Sequence, residues 1–256
     1  MRHAAGASLT LARVDFFEQQ WAVYRQVVEA DLMEHAALTD ATEKALRQWL
    51  KTRPADAQPP AMADLGCGDL ALLPPLLRQL PLGSYRGLDL SESVLELAAR
   101  AMGEVSFPCR WEERNALEWA VSPPAGQPVD LIHSAFVLHH LDEAEKALFL
   151  SRARSHLAPG GMFLWADVFR LPGENREEYL TRYAQRIRAG WHPLSAEDRE
   201  RVIDHLHCFD HPADAELIVA TARECGWTME WLWRGHHRAE ALAVLTPAAR
   251  VVRVPA

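Results

Sequence analysis

The 256-residue chain is poor in cysteine, and its four thiols, Cys67, Cys109, Cys208 and Cys225, lie far apart with no Cys-x-x-Cys pair. That scatter argues against a secreted disulfide frame and predicts reduced thiols. Long apolar runs are also missing: no stretch approaches the ~20 residues that span a bilayer. The opening Met-Arg-His-Ala-Ala-Gly-Ala-Ser has none of the apolar core of a secretion signal. A cytoplasmic protein without a membrane partner is expected. Positive charge is scarce too, with 27 Lys and Arg against 35 Asp and Glu and a formal charge of -8. Phosphate backbones are bound mainly by clustered Lys and Arg, so nucleic acid is not the expected partner. Arg182, Arg186 and Arg188 share a predicted helix with Glu174, Glu177 and Glu178, which makes a solvated, ion-paired face. No internal repeat or low-complexity segment is present. The remaining composition, 49% apolar and 24% charged, suits one large α/β domain over residues 1–256.

Helical spacing runs from Phe16 to Leu38, and Asp40 followed by Glu43 signals the cap of a second helix ending near Leu50. Together they make an amino-terminal helical cap over residues 10–52. Arg53-Pro-Ala-Asp-Ala-Gln-Pro-Pro60 then breaks the pattern. From Ala61 strand and helix alternate: strands over 61–65, 84–89, 105–111, 129–133 and 162–168, with helices over 72–80, from Ser91 and over 142–157. This rhythm implies right-handed crossovers and a doubly wound sheet with helices on both faces. Residues 169–212 carry no strand signal but two amphipathic helices, which reads as an inserted helical lid. A further helix from Leu217 ends at Gly226. Strands near 228–233 and 239–245 follow, joined tightly through Arg234-Gly235-His236-His237 and so antiparallel. The expected fold is a seven-stranded, mostly parallel sheet with an antiparallel carboxyl-terminal strand.

Ala61-Met-Ala-Asp-Leu-Gly-Cys-Gly-Asp69 joins a strand to a helix through two glycines, which lets the backbone come close to a ligand at the carboxyl end of the strand. Asp89 closes the next strand 23 residues after Gly66, where a carboxylate can accept hydrogen bonds from both hydroxyls of a ribose. Gly66-x-Gly68-x-x-Ala71 alone also satisfies a dinucleotide fingerprint. Asp64 separates the two readings, since its charge suits a cationic amino-acid moiety and would repel a pyrophosphate. None of the four tyrosines has a Lys four residues later, so the Tyr–Lys pair of a large reductase class is missing.

With Gly87-Leu-Asp-Leu-Ser91, Asp130-Leu-Ile-His-Ser-Ala-Phe-Val-Leu-His-His-Leu141 and Leu157-Ala-Pro-Gly-Gly161 following in order, the chain resembles a class I S-adenosylmethionine-dependent methyltransferase of the small-molecule, type 11/12 branch. The resemblance implies that Asp64 and the Gly66-Cys67-Gly68 backbone face the methionine part of the cofactor. It puts Asp89 on the ribose, Leu90 against adenine and Asn115-Ala116 beside the adenine amine. His133, Ser134 and Phe136 line the cofactor after the fourth strand. The family often has a third glycine where Leu70 stands and an Asp where Asn115 stands; an amide oxygen can still accept from the amine.

His139 and Asp167 are the candidate catalytic residues: His139 as a general base, or as mere packing with His140 as a helix cap, and Asp167 as a substrate contact, or as a cap or a partner of Arg170. Tyr24, His35, Trp191 and His192 are candidates for lining the substrate pocket. His205, His207, Cys208 and His211 match no zinc spacing, and His205 and His207 leave a helix on different sides, so no metal is expected. The implied function is methyl transfer from S-adenosylmethionine to a nitrogen, oxygen or carboxylate of a small molecule. RNA methylation, nicotinamide-dependent oxidoreduction and non-catalytic cofactor binding are the alternatives.

Overall fold

A computed structural model describes residues 21–124 and 126–249. The start of the leading helix, and residues 10–20 of the amino-terminal cap, lie outside the described residues. Residues 21–29 are helical (α1). The next helix, α2 (His35–Thr52), starts five residues before Asp40, because Glu34 takes a left-handed turn at φ 56° and breaks the chain there. Asp40 is therefore inside α2, where it pairs with Lys44 one turn on at 2.6 Å instead of capping.

The parallel part of the sheet is built from β1 (Ala61–Leu65), β2 (Ser84–Asp89), β3 (Cys109–Glu113), β4 (Val129–Ala135) and β5 (Leu157–Arg170). Their crossovers carry α3 (Pro74–Leu77), α4 (Glu92–Met102), α5 (Ala116–Val121) and α6 (Glu143–Ala153). After β5 come α7 (Arg176–Gly190), α8 (Ala196–Phe209), β6 (Ala213–Asp214), α9 (Leu217–Glu224), β7 (Trp227–Arg234) and β8 (Glu240–Pro247). The strand order is β3-β2-β1-β4-β5-β8-β7, and β8 runs antiparallel to both β5 and β7.

Among the described residues the sheet has eight strands, not seven. The added one, β6, is two residues long and pairs parallel with the far end of β5 at Phe169 and Arg170, too short to leave an alternating pattern in the sequence. β5 is twice the expected length because Pro159-Gly160-Gly161 lies within the strand. α3 is a single turn opened by Pro74, since Pro81 and Gly83 follow so closely.

Side chains alternate across the sheet. Ala63, Leu65, Ile132, Phe163 and Trp165 enter one core beneath α5, α6 and α9; Met62, Leu131, Leu164 and Ala166 enter the opposite core beneath α2, α3 and α4. A third cluster lies off the sheet, where Val23 and Val27 of α1 pack with Tyr179, Tyr183, Ile187 and Trp191 at α7 and with Ile203 and Leu206 of α8. The inserted helices thus share a core with the leading helix. Glu34 ties this assembly to the β7–β8 turn, its carboxylate accepting from the backbone N–H of His236 at 2.8 Å and of His237 at 3.3 Å. Among the described residues no helix is long and apolar enough to cross a membrane.

Candidate active site

In an open α/β sheet a ligand crevice forms where the strand order reverses, outside the carboxyl ends of the strands. Here the reversal is at β1 and β4, and the loop after β1 opens the crevice. Gly66, Gly68 and Leu70 all take positive φ, of 67°, 56° and 57°. A Cβ on Gly66 would sit 2.2 Å from Cγ2 of Val137, so only glycine brings the backbone this close. Leu70, standing where the family often has glycine, adopts a glycine-like φ and still buries its side chain. Asp89 accepts from Gly68 N–H at 3.0 Å through one carboxylate oxygen and from Ser91 N–H at 3.2 Å through the other. A carboxylate offers about four acceptor positions, so both oxygens keep capacity for a ligand. Burial pushes the Asp89 carboxyl above its ordinary pKa, offset in part by those N–H groups.

A cleft, open at one side, runs past Asp89, Leu90, Asn115 and Ala116 to Gly66 and Phe136. A second cavity continues from it on the other side of the glycine loop, sharing Tyr24, Gly66, Gly68, Ala135 and Phe136 and reaching Asp64, Cys67, His133 and His35. Asp89 and Asp64 therefore line two adjoining cavities on either side of the glycine loop. Asp64 is almost wholly buried, and its carboxylate is held by Tyr85 Oη at 2.7 Å and His133 Nδ1 at 2.7 Å.

One of the expected cofactor contacts lies away from the cleft, and a second has another partner. Ser134 turns away from the cleft: it is fully buried and donates to Leu65 O at 3.1 Å, because alternation along β4 sends it into the sheet. Asn115 does line the cleft, but its amide oxygen accepts from Leu117 and Glu118 N–H at 2.7 and 3.3 Å as the cap of α5. That oxygen is thereby committed and is not free for an adenine amine.

A third, mainly apolar chamber lies beneath α1, α7 and α8. It brings together Tyr24, His35 and Trp191 of the expected substrate residues, with Phe136 and His139. His192 is exposed and lines none of the cavities described here, because the chain turns outward after Trp191. Tyr24 and Phe136 border all three spaces. Phe136 does so at φ 56°, a strained backbone for an aromatic residue. Burial, Asp69 and Asp89 push the Tyr24 phenol upward, so it stays protonated.

The polar end of the chamber is formed by His139, His140, His205 and Asp210. His139 Nδ1 lies 2.5 Å from Asp167, whose carboxylate also accepts from the N–H groups of His139 and Val168 and from Trp165 Nε1. Asp167 is fully buried and borders none of these cavities; it holds the His139 ring and touches neither a substrate space nor Arg170, which pairs with Glu143. Burial lowers the His139 pKa, but Asp210 and Asp167 outweigh it and hold the imidazole above its ordinary value. Burial and the charge of Asp167 push Asp210 up to about 6. Sequence patterns give no hint of Asp210, a lone carboxylate at the exit of α8, 71 positions from His139. Trp21 and Arg114, which line the cofactor cleft, are also unannounced.

Residues 63–163 match the family model described as a methyltransferase domain. The trans-aconitate 2-methyltransferase of Pseudomonas aeruginosa (strain UCBPP-PA14) is 38% identical over 103 residues, which cover 40% of this chain and 34% of that protein. The malonyl-[acyl-carrier protein] O-methyltransferase of Halalkalibacterium halodurans is 27% identical over 152 residues, 56% of this chain and 55% of that one. The chain thus spans about a third of the length of the trans-aconitate relative it matches. Among solved structures, the plantazolicin methyltransferase BpumL, in complex with a triazolic desmethylPZN analog and SAH, aligns with a TM-score of 0.61 at 15% identity, covering 95% of this chain and 98% of that one, a likeness of fold. Residues 63–163, which hold the glycine loop and both carboxylates, are thus similar to a methyltransferase domain.

Proposed function

We propose that this chain moves a methyl group from S-adenosylmethionine to a small acceptor held in the chamber beneath α1, α7 and α8. The observation that carries this reading is the meeting of three spaces at Tyr24 and Phe136: the Asp89 cleft, the Asp64 cavity and the apolar chamber. The bound cofactor supplies a methyl group already activated on a sulfonium. The residues present fit it. Asp89 has acceptor positions left for a ribose, Leu90 and Ala116 offer apolar contact to a base, and the buried charge of Asp64 suits an ammonium group.

The chain's own contribution is alignment and exclusion of water. Holding two reactants in line can supply about 7–11 kcal/mol of a barrier. The 169–212 segment, whose helices α7 and α8 share a core with α1, acts in this reading as the lid that closes the chamber. The apolar walls favour an acceptor with an apolar body, and His139, oriented by Asp167, turns its Nε2 toward the acceptor's polar group. The names of the curated relatives, trans-aconitate and malonyl-[acyl-carrier protein], make carboxylate-bearing acceptors the first panel to try, followed by phenols and amines.

The test is calorimetry with S-adenosylhomocysteine, followed by transfer of labelled methyl from S-adenosylmethionine to that panel. Heat of binding and label on one acceptor class are expected. Absence of heat with both nucleosides, together with a melting temperature raised by NADH, overturns the reading.

A further inference from the structure

We propose that His139, His140 and Asp210 form a binding site for one divalent transition-metal ion of the zinc class at the polar end of the chamber, with His205 beside Asp210. Asp210 Oδ1 lies 3.7 Å from His139 Nε2, 3.5 Å from His140 Nδ1 and 3.7 Å from His205 Nε2. These separations exceed the usual ~2.7–3.2 Å of a hydrogen bond to nitrogen. They are close to the edge of a coordination tetrahedron, about 3.3 Å for metal–ligand bonds of about 2.0–2.1 Å. The ligand atoms of His139, His140 and Asp210 all lie within 4.8 Å of one another. Asp210 is 2% exposed, and its Oδ1, aimed at the three rings, accepts no hydrogen bond from any described residue. A buried carboxylate oxygen and two imidazoles within reach of one point supply three ligands and leave a fourth position open.

The surroundings add the other feature of such sites. Histidine ligands commonly donate their second ring N–H to a carboxylate, which fixes the tautomer and aims the free nitrogen. Asp167 does this for His139: the 2.5 Å contact at Nδ1 puts the proton there and leaves the Nε2 lone pair toward Asp210. Asp167 is itself fixed by Trp165 Nε1 and two backbone N–H groups. A set of two nitrogens and one oxygen suits zinc, iron, nickel or copper and disfavours magnesium and calcium, which take oxygen ligands. His140 borders both the cofactor cleft and the chamber, so the ion would lie between donor and acceptor spaces. A role in holding the acceptor's polar atom rests on the proposed function; binding of the ion does not.

The experiment uses the full chain without an affinity tag, stripped with chelator and dialysed. Titration with Zn²⁺ in a calorimeter should give one equivalent per chain. Co²⁺ should give visible ligand-field bands of a four- or five-coordinate ion, bleached by Zn²⁺, while Mg²⁺ gives no heat. Asp210→Ala should weaken Zn²⁺ binding at least 100-fold, with S-adenosylhomocysteine affinity within threefold of the parent. His207→Ala, altering an exposed histidine on the same helix, should change nothing. Affinity for S-adenosylhomocysteine serves as the check on folding, and the cobalt spectrum of the parent needs no variant. No cobalt bands and less than a tenth of an equivalent of zinc overturn the metal site, as does zinc binding that survives Asp210→Ala. Loss of S-adenosylhomocysteine binding in the parent overturns the methyltransferase reading instead, and leaves the zinc titration to be read by itself.

Discussion

His35, where the Asp64 cavity and the chamber meet, makes the stability of this protein depend on pH in a calculable way. Neither ring nitrogen has a hydrogen-bond partner among the described residues, and the ring packs on Phe136 with centroids 5.3 Å apart. Burial lowers its pKa from 6.5 to about 4, with the carboxylate of Asp31 opposing only weakly. Asp31 is already engaged as the acceptor for Ala36 N–H at 2.9 Å, at the start of α2. The unfolded chain takes up a proton near pH 6.5 and the folded chain only near 4, so between those values the unfolded state binds more protons. Stability is therefore lost as pH falls through that window. A depression of this size is worth about 3 kcal/mol in full and about 2 kcal/mol at pH 5.

For a chain of this size 1 kcal/mol moves the melting temperature by roughly 2–4 °C, so His35 should account for about 4–8 °C between pH 7.5 and pH 5. The assay is thermal or urea unfolding of the parent and His35→Leu at pH 7.5, 6 and 5, at constant ionic strength. All other titrating groups are shared, so the difference between the two proteins isolates this one. At pH 7.5 the variant should equal or exceed the parent, because an unsatisfied imidazole is replaced by an apolar group of similar bulk. The gap should then widen in favour of the variant as pH falls. Parallel pH profiles would refute the reasoning, since they would mean that the imidazole is already protonated or already solvated in the native state.

Three further outcomes follow from the same geometry. Asp89→Asn should weaken S-adenosylhomocysteine about 10- to 100-fold by calorimetry, as expected for one or two charge-assisted hydrogen bonds; a change under threefold would remove Asp89 from ribose recognition. Gly66→Ala should abolish cofactor binding and lower the melting temperature, because its Cβ meets Val137 at 2.2 Å and its φ is 67°. Adding Val137→Ala should relieve the clash but not the backbone strain, so recovery should be partial, and full recovery would count against the backbone argument. Trp191→Phe should stay within about 1 kcal/mol of the parent in urea unfolding, because the buried Nε1 has no partner among the described residues. Trp191→Ala should cost about 3–5 kcal/mol; equal effects from the two would mean that the indole N–H is engaged.

The cofactor half of the site was legible because its chemistry is local. Asp64, Gly66 and Gly68 fall within five residues, and Asp89 closes the very next strand, so strand periodicity and glycine placement bring them together without any knowledge of long-range packing. Less was legible where a side chain had two uses. The amide oxygen of Asn115 can recognise a base or cap a helix, and the two orphan N–H groups of α5 decide for the cap. The carboxylate of Asp167 stands at the end of a strand, as substrate contacts often do, but three donors and the ring of His139 surround it. The acceptor half depends on contacts between segments far apart in the chain. Nothing local distinguishes His205 from His207, and only the packing of α8 against α1 and α7 turns one inward and leaves the other in solvent.

Backbone strain marks the same division. Among the described residues five non-glycine residues take positive φ: Asp31, Glu34, Leu70, Phe136 and Arg238. Such conformations cost of order 1–3 kcal/mol each and persist only where the surroundings fix them. Glu34 and Arg238 have a structural reason: the first breaks α1 from α2, and the second closes the β7–β8 turn that Glu34 holds. Phe136 has none of that kind. Its N–H is tied to Ala166 O at 2.9 Å, and the left-handed turn aims its ring at the junction of the three cavities instead of into the sheet. A glycine there would relieve the strain but open the partition between cofactor and acceptor spaces. On this reasoning Phe136→Gly keeps much of its stability and its S-adenosylhomocysteine affinity yet loses discrimination among acceptors. The labelled-methyl panel reads that discrimination directly, and an unchanged acceptor ranking would show that the strain serves packing alone.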